Sequence, residues 1–240
     1  MRRPMIWGVV AAVAFGTWCA ALPFVAAADL LMAVPAADYL ASSTLSTDNN
    51  TWQEYSDGEG LWDPAMTAPG AIDIGGGPDR AWLVYRMRVE VPAEEATDAG
   101  KTWQIWVHMR VPGNENSFHF QTSSDGETWL PEEVTNACRV DNSAMKDTDV
   151  WYWQDQLTGN AGAVDPVVAA GTNYLRIGSR EANAEAAASP RFDMVALRNY
   201  GDLGQDNAPS GAEVLDFIEA TTVEPRGKLA LMWAGVKAER

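Results

Sequence analysis

Trp151 and Trp153 stand two residues apart in the run Val150–Leu157, so on an extended strand both indoles leave the same face. Trp52 and Tyr55 fall in a stretch rich in Asp, Asn, Ser and Gly, where core packing gives little reason for aromatic rings. Flat rings stack on apolar C–H faces of cyclic polyols, and planar amides, carboxylates and guanidinium groups read the hydroxyl rim. Groups of that kind follow in two places. Asn114 and Asn116 belong to the break Pro112-Gly113-Asn114-Glu115-Asn116, and Arg180, Glu181 and Asn183 open the loop after Asn173–Gly178. The expected ligand site is therefore Trp151, Trp153, Trp52, Tyr55, Asn114, Asn116, Arg180, Glu181 and Asn183. Each has a plainer alternative: the two Asn could satisfy their own turn, and Arg180-Glu181 could be a structural ion pair.

Other chemistries find no support. His108 and His119 are expected on neighbouring strands, but two His without a third ligand do not make a zinc site. Glu132 and Glu133 are adjacent and face opposite ways on an extended chain, unlike the facing carboxylates of glycoside hydrolysis. No G-x-S-x-G, H-E-x-x-H or phosphate-cradling loop is present, and Gly75-Gly76-Gly77 precedes no helical pattern. The expectation is a binding protein rather than an enzyme.

Length and charge narrow the class. The chain has 240 residues and a net charge of −16, which excludes nucleic acid or an anionic membrane as a partner held by bulk charge. Arg2 and Arg3 precede an apolar run that ends in Ala26-Ala27-Ala28, the layout of a secretory signal. We expect residues 1–28 to be a cleaved signal, with an uncleaved anchor as the alternative. The mature chain would be secreted or held at the cell surface, with no membrane insertion. Losing Arg2 and Arg3 takes the charge from −16 to −18. Only Cys138 then remains, so no internal disulfide forms and a buried, inert thiol is expected.

The elements that must position the site are short strands. Thr102–Arg110 and Ser117–Phe120 flank the Pro112–Asn116 break and read as strand, loop, strand. Ala81–Val91, Val150–Leu157, Asn173–Gly178 and Phe192–Leu197 read as strands, with a weaker one at Val164–Ala169 and a first one near Leu30–Val34 or Tyr39–Leu40. Such spacing indicates an all-β, antiparallel sandwich of jelly-roll type over residues 29–198. Residues 199–240 read as a linker and C-terminal tail, with one short helix over Glu213–Ile218.

Several landmarks in order give this stretch a family look. They are Gly75-Gly76-Gly77, Ala81-Trp82-Leu83-Val84-Tyr85, Ile105–Pro112, Asn116-Ser117-Phe118, Asp125-Gly126, Trp151-Tyr152-Trp153, Ala170–Ile177, Arg180-Glu181 and Asp193. In that order, over some 160 residues between Asp38 and Leu197, they resemble the carbohydrate-binding modules of families 6 and 35, which are galactose-binding-like sandwiches. The resemblance implies a polysaccharide or glycan partner. It also implies a structural Ca²⁺, for which Asp193 stands in the place of the final-strand ligand. The paired Glu expected in the first strand are replaced in Val34-Pro35-Ala36-Ala37-Asp38-Tyr39, and one carboxylate is too few for a cation that takes six to eight oxygens. Gln104-Ile105 and Arg180-Glu181 resemble fragments of alginate-lyase motifs, but Trp106 stands where a His should follow. The tail from Thr222 to Lys237 resembles one found on exported lectin-like bacterial proteins, which suggests docking to a cell surface or a partner and makes a protein-binding surface domain the alternative function.

Overall fold

The structure, a computed structural model, describes residues 31–43, 51–69, 81–89, 102–113, 117–135, 137–141, 148–156, 164–180, 184–200 and 208–222. The expected signal segment, Gly75–Gly77, Asn114, Asn116, Glu181, Asn183 and the tail beyond 222 lie outside the described residues.

Eleven strands, one α-helix and one 3₁₀ turn at Ala186–Ala188 make up the described secondary structure. They are β1 Leu31–Pro35, β2 Ala41–Ser42, β3 Gln53–Tyr55, β4 Ala65–Thr67, β5 Trp82–Val89, β6 Thr102–Arg110, β7 Ser117–Ser123, β8 Arg139–Asp141, β9 Trp151–Asp155, β10 Gly171–Ser179, β11 Arg191–Tyr200 and α1 Gly211–Thr222. One sheet has six strands in the order β3-β4-β11-β6-β9, with β1 also paired to β11. The other has five, in the order β2-β5-β10-β7-β8, and every pairing in both sheets is antiparallel. This is the antiparallel sandwich expected from the sequence.

Period-2 alternation fills the space between the sheets. Trp103, Ile105, Val107 and Met109 of β6 meet Phe118 and Phe120 of β7, Leu175 and Ile177 of β10, and Phe192, Val195 and Leu197 of β11 in one core. Each fully buried side chain of this size contributes about 1.5–3 kcal/mol by leaving water.

Two expectations change. First, β6 and β7 are not neighbours: β6 pairs with β11 and β9, whereas β7 pairs with β10 and β8. β6 and β7 lie in different sheets, and each turns an apolar face to the same core. His108 and His119 therefore belong to opposite sheets. Second, Val164–Ala169 is not a strand. The Val167 N–H is given to the Thr122 hydroxyl at 3.0 Å, outside any ladder. Helix α1 lays Val214 and Ile218 on Trp106, Met194 and Ala196, which are the outer face of the six-stranded sheet. Ser210 and Glu213 form a capping box: the Ser210 hydroxyl accepts the Glu213 N–H at 3.2 Å, and the Glu213 carboxylate accepts the Ser210 N–H at 2.8 Å. Arg198 of β11 ties the helix down, donating to Glu213 at 3.2 Å.

Candidate functional site

A bulge in β11 builds the first candidate site. Phe192 pairs with Met109 and Met194 pairs with His108, so Asp193 is the extra residue between them. The alternation slips by one there. Phe192 and Val195 face the core, while Met194 faces α1. Asp193 is completely buried, yet both of its oxygens are used. Oδ1 meets Nδ1 of His108 at 2.7 Å. Oδ2 accepts the N–H groups of Leu61 and, at 3.0 Å, Trp62. Gly60 allows this approach, since a Cβ there would come within 2.3 Å of Asp193 Oδ2 and 3.3 Å of the Trp151 ring.

His108 is the floor on which the two expected tryptophans rest. Its ring stacks on Trp151 at 5.2 Å between centroids and meets Trp153 at 5.0 Å, tilted by 49°. Both tryptophans leave one face of β9 as expected, and both are half-buried. Trp153 joins the apolar cluster under α1, whereas Trp151 lies toward the strand's open end.

Beside Trp151 is an ionic lattice. Arg110 donates to Asp149 at 2.8 Å, to Asp57 at 3.1 Å and to Glu59, and Arg191 reaches Asp57 at 3.1 Å. The Asp149 hydrogen bond leads in pushing Arg110 above its ordinary value, and Arg110 in turn holds the Asp149 carboxyl below the usual range. Asp149 adopts φ 51°, a left-handed conformation that costs a non-Gly residue about 1 kcal/mol or more, and the Arg110 bond helps hold it.

The remaining predicted residues divide. Trp52 is not an exposed platform: it is buried, stacked on Phe118 at 6.1 Å and edge-on to Phe192 at 5.6 Å. A polar surrounding sequence did not stop the core from taking the largest apolar side chain within reach. Tyr55 is half-buried, and the Arg191 guanidinium covers its ring at 4.5 Å. Arg180 is buried and donates to the Ser117 hydroxyl between β7 and the end of β10.

Residues that were given no site role make a second candidate. A cleft of about 520 Å³ opens on the outer face of the five-stranded sheet, between Leu40–Ser43 on one side and Asp125–Trp129 on the other. Tyr174, Arg176 and Val84 form its floor. The Arg176 guanidinium is sandwiched between two indoles, 4.3 Å from Trp82 and 4.4 Å from Trp129. Gln121 on β7 holds it in plane by accepting from both Nε, at 2.8 Å, and Nη2. Burial brings the Arg176 pKa down to about 10. Asp125 is turned onto its own loop, where Oδ1 accepts the Thr128 N–H at 2.7 Å, the Glu127 N–H at 2.8 Å and the Ser123 hydroxyl at 2.8 Å. Those bonds, led by Thr128, hold its carboxyl well below the usual range. The alternation of Tyr174 and Arg176 along β10, with Trp82 of β5 paired to Gly178 two residues further on, was the available signal. Reading it requires knowing which strands pair.

The calcium implied by the resemblance does not fit. Both Asp193 carboxylate oxygens already accept hydrogen bonds, the Ala36 N–H donates to its backbone carbonyl at 2.7 Å, and apolar Ala36 stands where the resemblance implies a second carboxylate. The Ala36 carbonyl already accepts the Tyr85 hydroxyl at 2.9 Å. Among the described residues no group of three or more His, Cys, Asp or Glu is arranged to hold a metal ion. Among them, too, no helix is long and apolar enough to cross a membrane.

No protein-family model matches the chain. No curated protein matches it either. Among solved structures it is similar to the isomalto-dextranase of Arthrobacter globiformis T6 complexed with panose, at 13% identity and a TM-score of 0.44, over 70% of this chain and 23% of that one. The chain thus spans less than a quarter of that enzyme. It is also similar to the carbohydrate-binding module of Cellvibrio mixtus lichenase 5A in complex with cellotriose, at 11% identity and a TM-score of 0.39, over 69% of this chain and 95% of that one. The family 35 carbohydrate-binding module of Cellvibrio japonicus Abf62 matches at 10% identity and a TM-score of 0.34, over 73% of this chain and 100% of that one. Each is a likeness of form, and the sandwich itself rests on the strand pairings of this chain.

Proposed function

We propose that the chain is an exported, non-catalytic carbohydrate-binding module, and that the cleft between Leu40–Ser43 and Asp125–Trp129 receives the sugar. The observation that carries this reading is the Trp82–Arg176–Trp129 sandwich beside Tyr174, which gives the cleft aromatic surface and a fixed planar donor together. Sugar C–H faces pack on such rings, and a guanidinium held by an amide donates to ring hydroxyls without losing rotamer freedom on binding. A shallow, open cleft of this kind gives a Kd on the order of 10⁻⁴ to 10⁻⁵ M.

The loop end is the alternative binding surface. There Trp151 and Tyr55 would stack. Against catalysis stands the engagement of the acid–base groups: Asp193 is tied to His108 and two amides, Asp125 to its own turn, and Asp149 to Arg110. Export rests on the leader at residues 1–28, and docking to a surface or partner on the tail beyond 222.

The test is a glycan-array screen followed by calorimetry on Trp129→Ala, Tyr174→Ala and Trp151→Ala. Loss of binding in the first two, with Trp151→Ala unchanged, supports the cleft. The reverse pattern moves binding to the loop end. A blank array of neutral and acidic glycans sinks the reading and leaves a protein partner as the function to pursue.

A further inference from the structure

Loop 60–62, strand β6 and the β11 bulge converge on one buried carboxylate, and a buried carboxylate must be compensated. The resemblance of the sequence implies a cation in that role. Here the compensation comes from the protein. We propose that His108, with the amides of Leu61 and Trp62, is a metal-free substitute for the calcium clamp, so that His108 and Asp193 are the positioning residues of the loop end.

Four observations converge on this. Three donors engage both oxygens of Asp193: His108 Nδ1 on Oδ1 at 2.7 Å, and the Leu61 and Trp62 N–H groups on Oδ2. The oxygens a cation would share are otherwise engaged, since the Ala36 carbonyl accepts from Tyr85 and the Asp193 carbonyl accepts from Ala36. The space is closed as well, because even a methyl group at Gly60 would strike Oδ2. Finally, the substituting ring also serves as packing: His108 stacks on Trp151 and touches Trp153. A hydrated or oxygen-ligated cation cannot give that apolar contact. The clamp therefore fixes three things together, namely the 60–62 loop, the β11 bulge and the Trp151 indole, whether or not a glycan binds there.

The test uses the full chain and calcium itself. Thermal unfolding is recorded in excess Ca²⁺ and in chelator, for the natural chain and for Asp193→Asn. A ligand that binds only the folded state must raise its Tm. A calcium-dependent rise that Asp193→Asn abolishes overturns the proposal. No rise, or one that survives Asp193→Asn and so belongs to other carboxylates, is the expected result. A double-mutant cycle of His108→Phe and Asp193→Asn supplies the positive arm, since Phe keeps the ring stack and removes only the donor. Each single change is expected to lower Tm by on the order of 10 °C, with the double change costing clearly less than the sum. Strict additivity overturns the pairing. Should Asp193→Asn fail to fold, terbium luminescence sensitised by Trp151 replaces it. A sensitised signal that calcium competes away in the natural chain and that Trp151→Phe abolishes overturns the proposal, and the absence of such a signal supports it.

Discussion

Gly178 lies directly beneath the Trp82 indole: the two residues pair across β10 and β5, and a Cβ at 178 would fall 2.6 Å from Cζ3 of that ring. The indole can lie flat over β10 only because this position lacks a side chain, and lying flat brings its face to Arg176. Gly178→Ala is expected to lift Trp82, cost about 1–3 kcal/mol through overpacking, and weaken glycan binding along with the Arg176 sandwich. Calorimetry and the near-ultraviolet circular dichroism of the indoles would check both. Unchanged affinity would show that Trp82 takes no part in the cleft.

Arg176 should resist conservative replacement. Lys keeps a charge but loses the plane that two indoles and Gln121 hold. Arg176→Lys is expected to cost about 1–2 kcal/mol of stability from two cation–π contacts and to weaken the best array ligand about tenfold. Chemical denaturation and calorimetry on the same samples separate the two effects, and equal affinity in Arg176→Lys would rule out a guanidinium contact to ligand.

Trp52→Ala should behave as a core truncation. Its ring fills space against Phe118 and Phe192. The expected loss is about 3–5 kcal/mol of stability, with unchanged affinity for the fraction that remains folded. An affinity loss at full stability would return Trp52 to the binding surface.

Acid should loosen the helix through Glu213. Its carboxyl is held below the ordinary value of 4.5 by the Ser210 N–H first, with the Ser210 hydroxyl and Arg198 adding to it. A depressed folded value means that this stabilisation is complete above the ordinary value and is lost as pH falls through the folded one. The natural chain should therefore exceed Glu213→Gln in stability near neutral pH, by below about 1 kcal/mol, and the gap should close as the solution is acidified. Urea melts of both chains at several pH values would show it. A gap that does not depend on pH would mean that the charge contributes nothing.

The strands of the sandwich were legible because alternation is local. Trp103, Ile105, Val107 and Met109 identify a core face without reference to any other strand. The short strands β3 and β4 were not legible, since Gln53–Tyr55 and Ala65–Thr67 become strands only by pairing with each other and with β11. Trp151 and Trp153 could be placed on one face, but not the imidazole beneath them, because His108 reaches them through a β6–β9 pairing that no sequence separation announces. Asp193 was noticed as a carboxylate in the last strand, while its role depends on a bulge and on loop 60–62, more than a hundred residues away. The cleft was missed for the same reason: Trp82, Trp129 and Arg176 are unremarkable until β5, β10 and the turn after β7 are side by side.

The pairing of β1 with β11, from Leu31↔Arg198 to Pro35↔Met194, has a kinetic consequence. The six-stranded sheet cannot be completed until nearly all of its sequence is present, because its first strand waits for its last. Closing so long a loop before any pairing repays it makes folding slow and late. A polypeptide threaded N-terminus first through a narrow pore would thus stay unfolded in transit, and it would lock shut only after β11 had emerged on the far side.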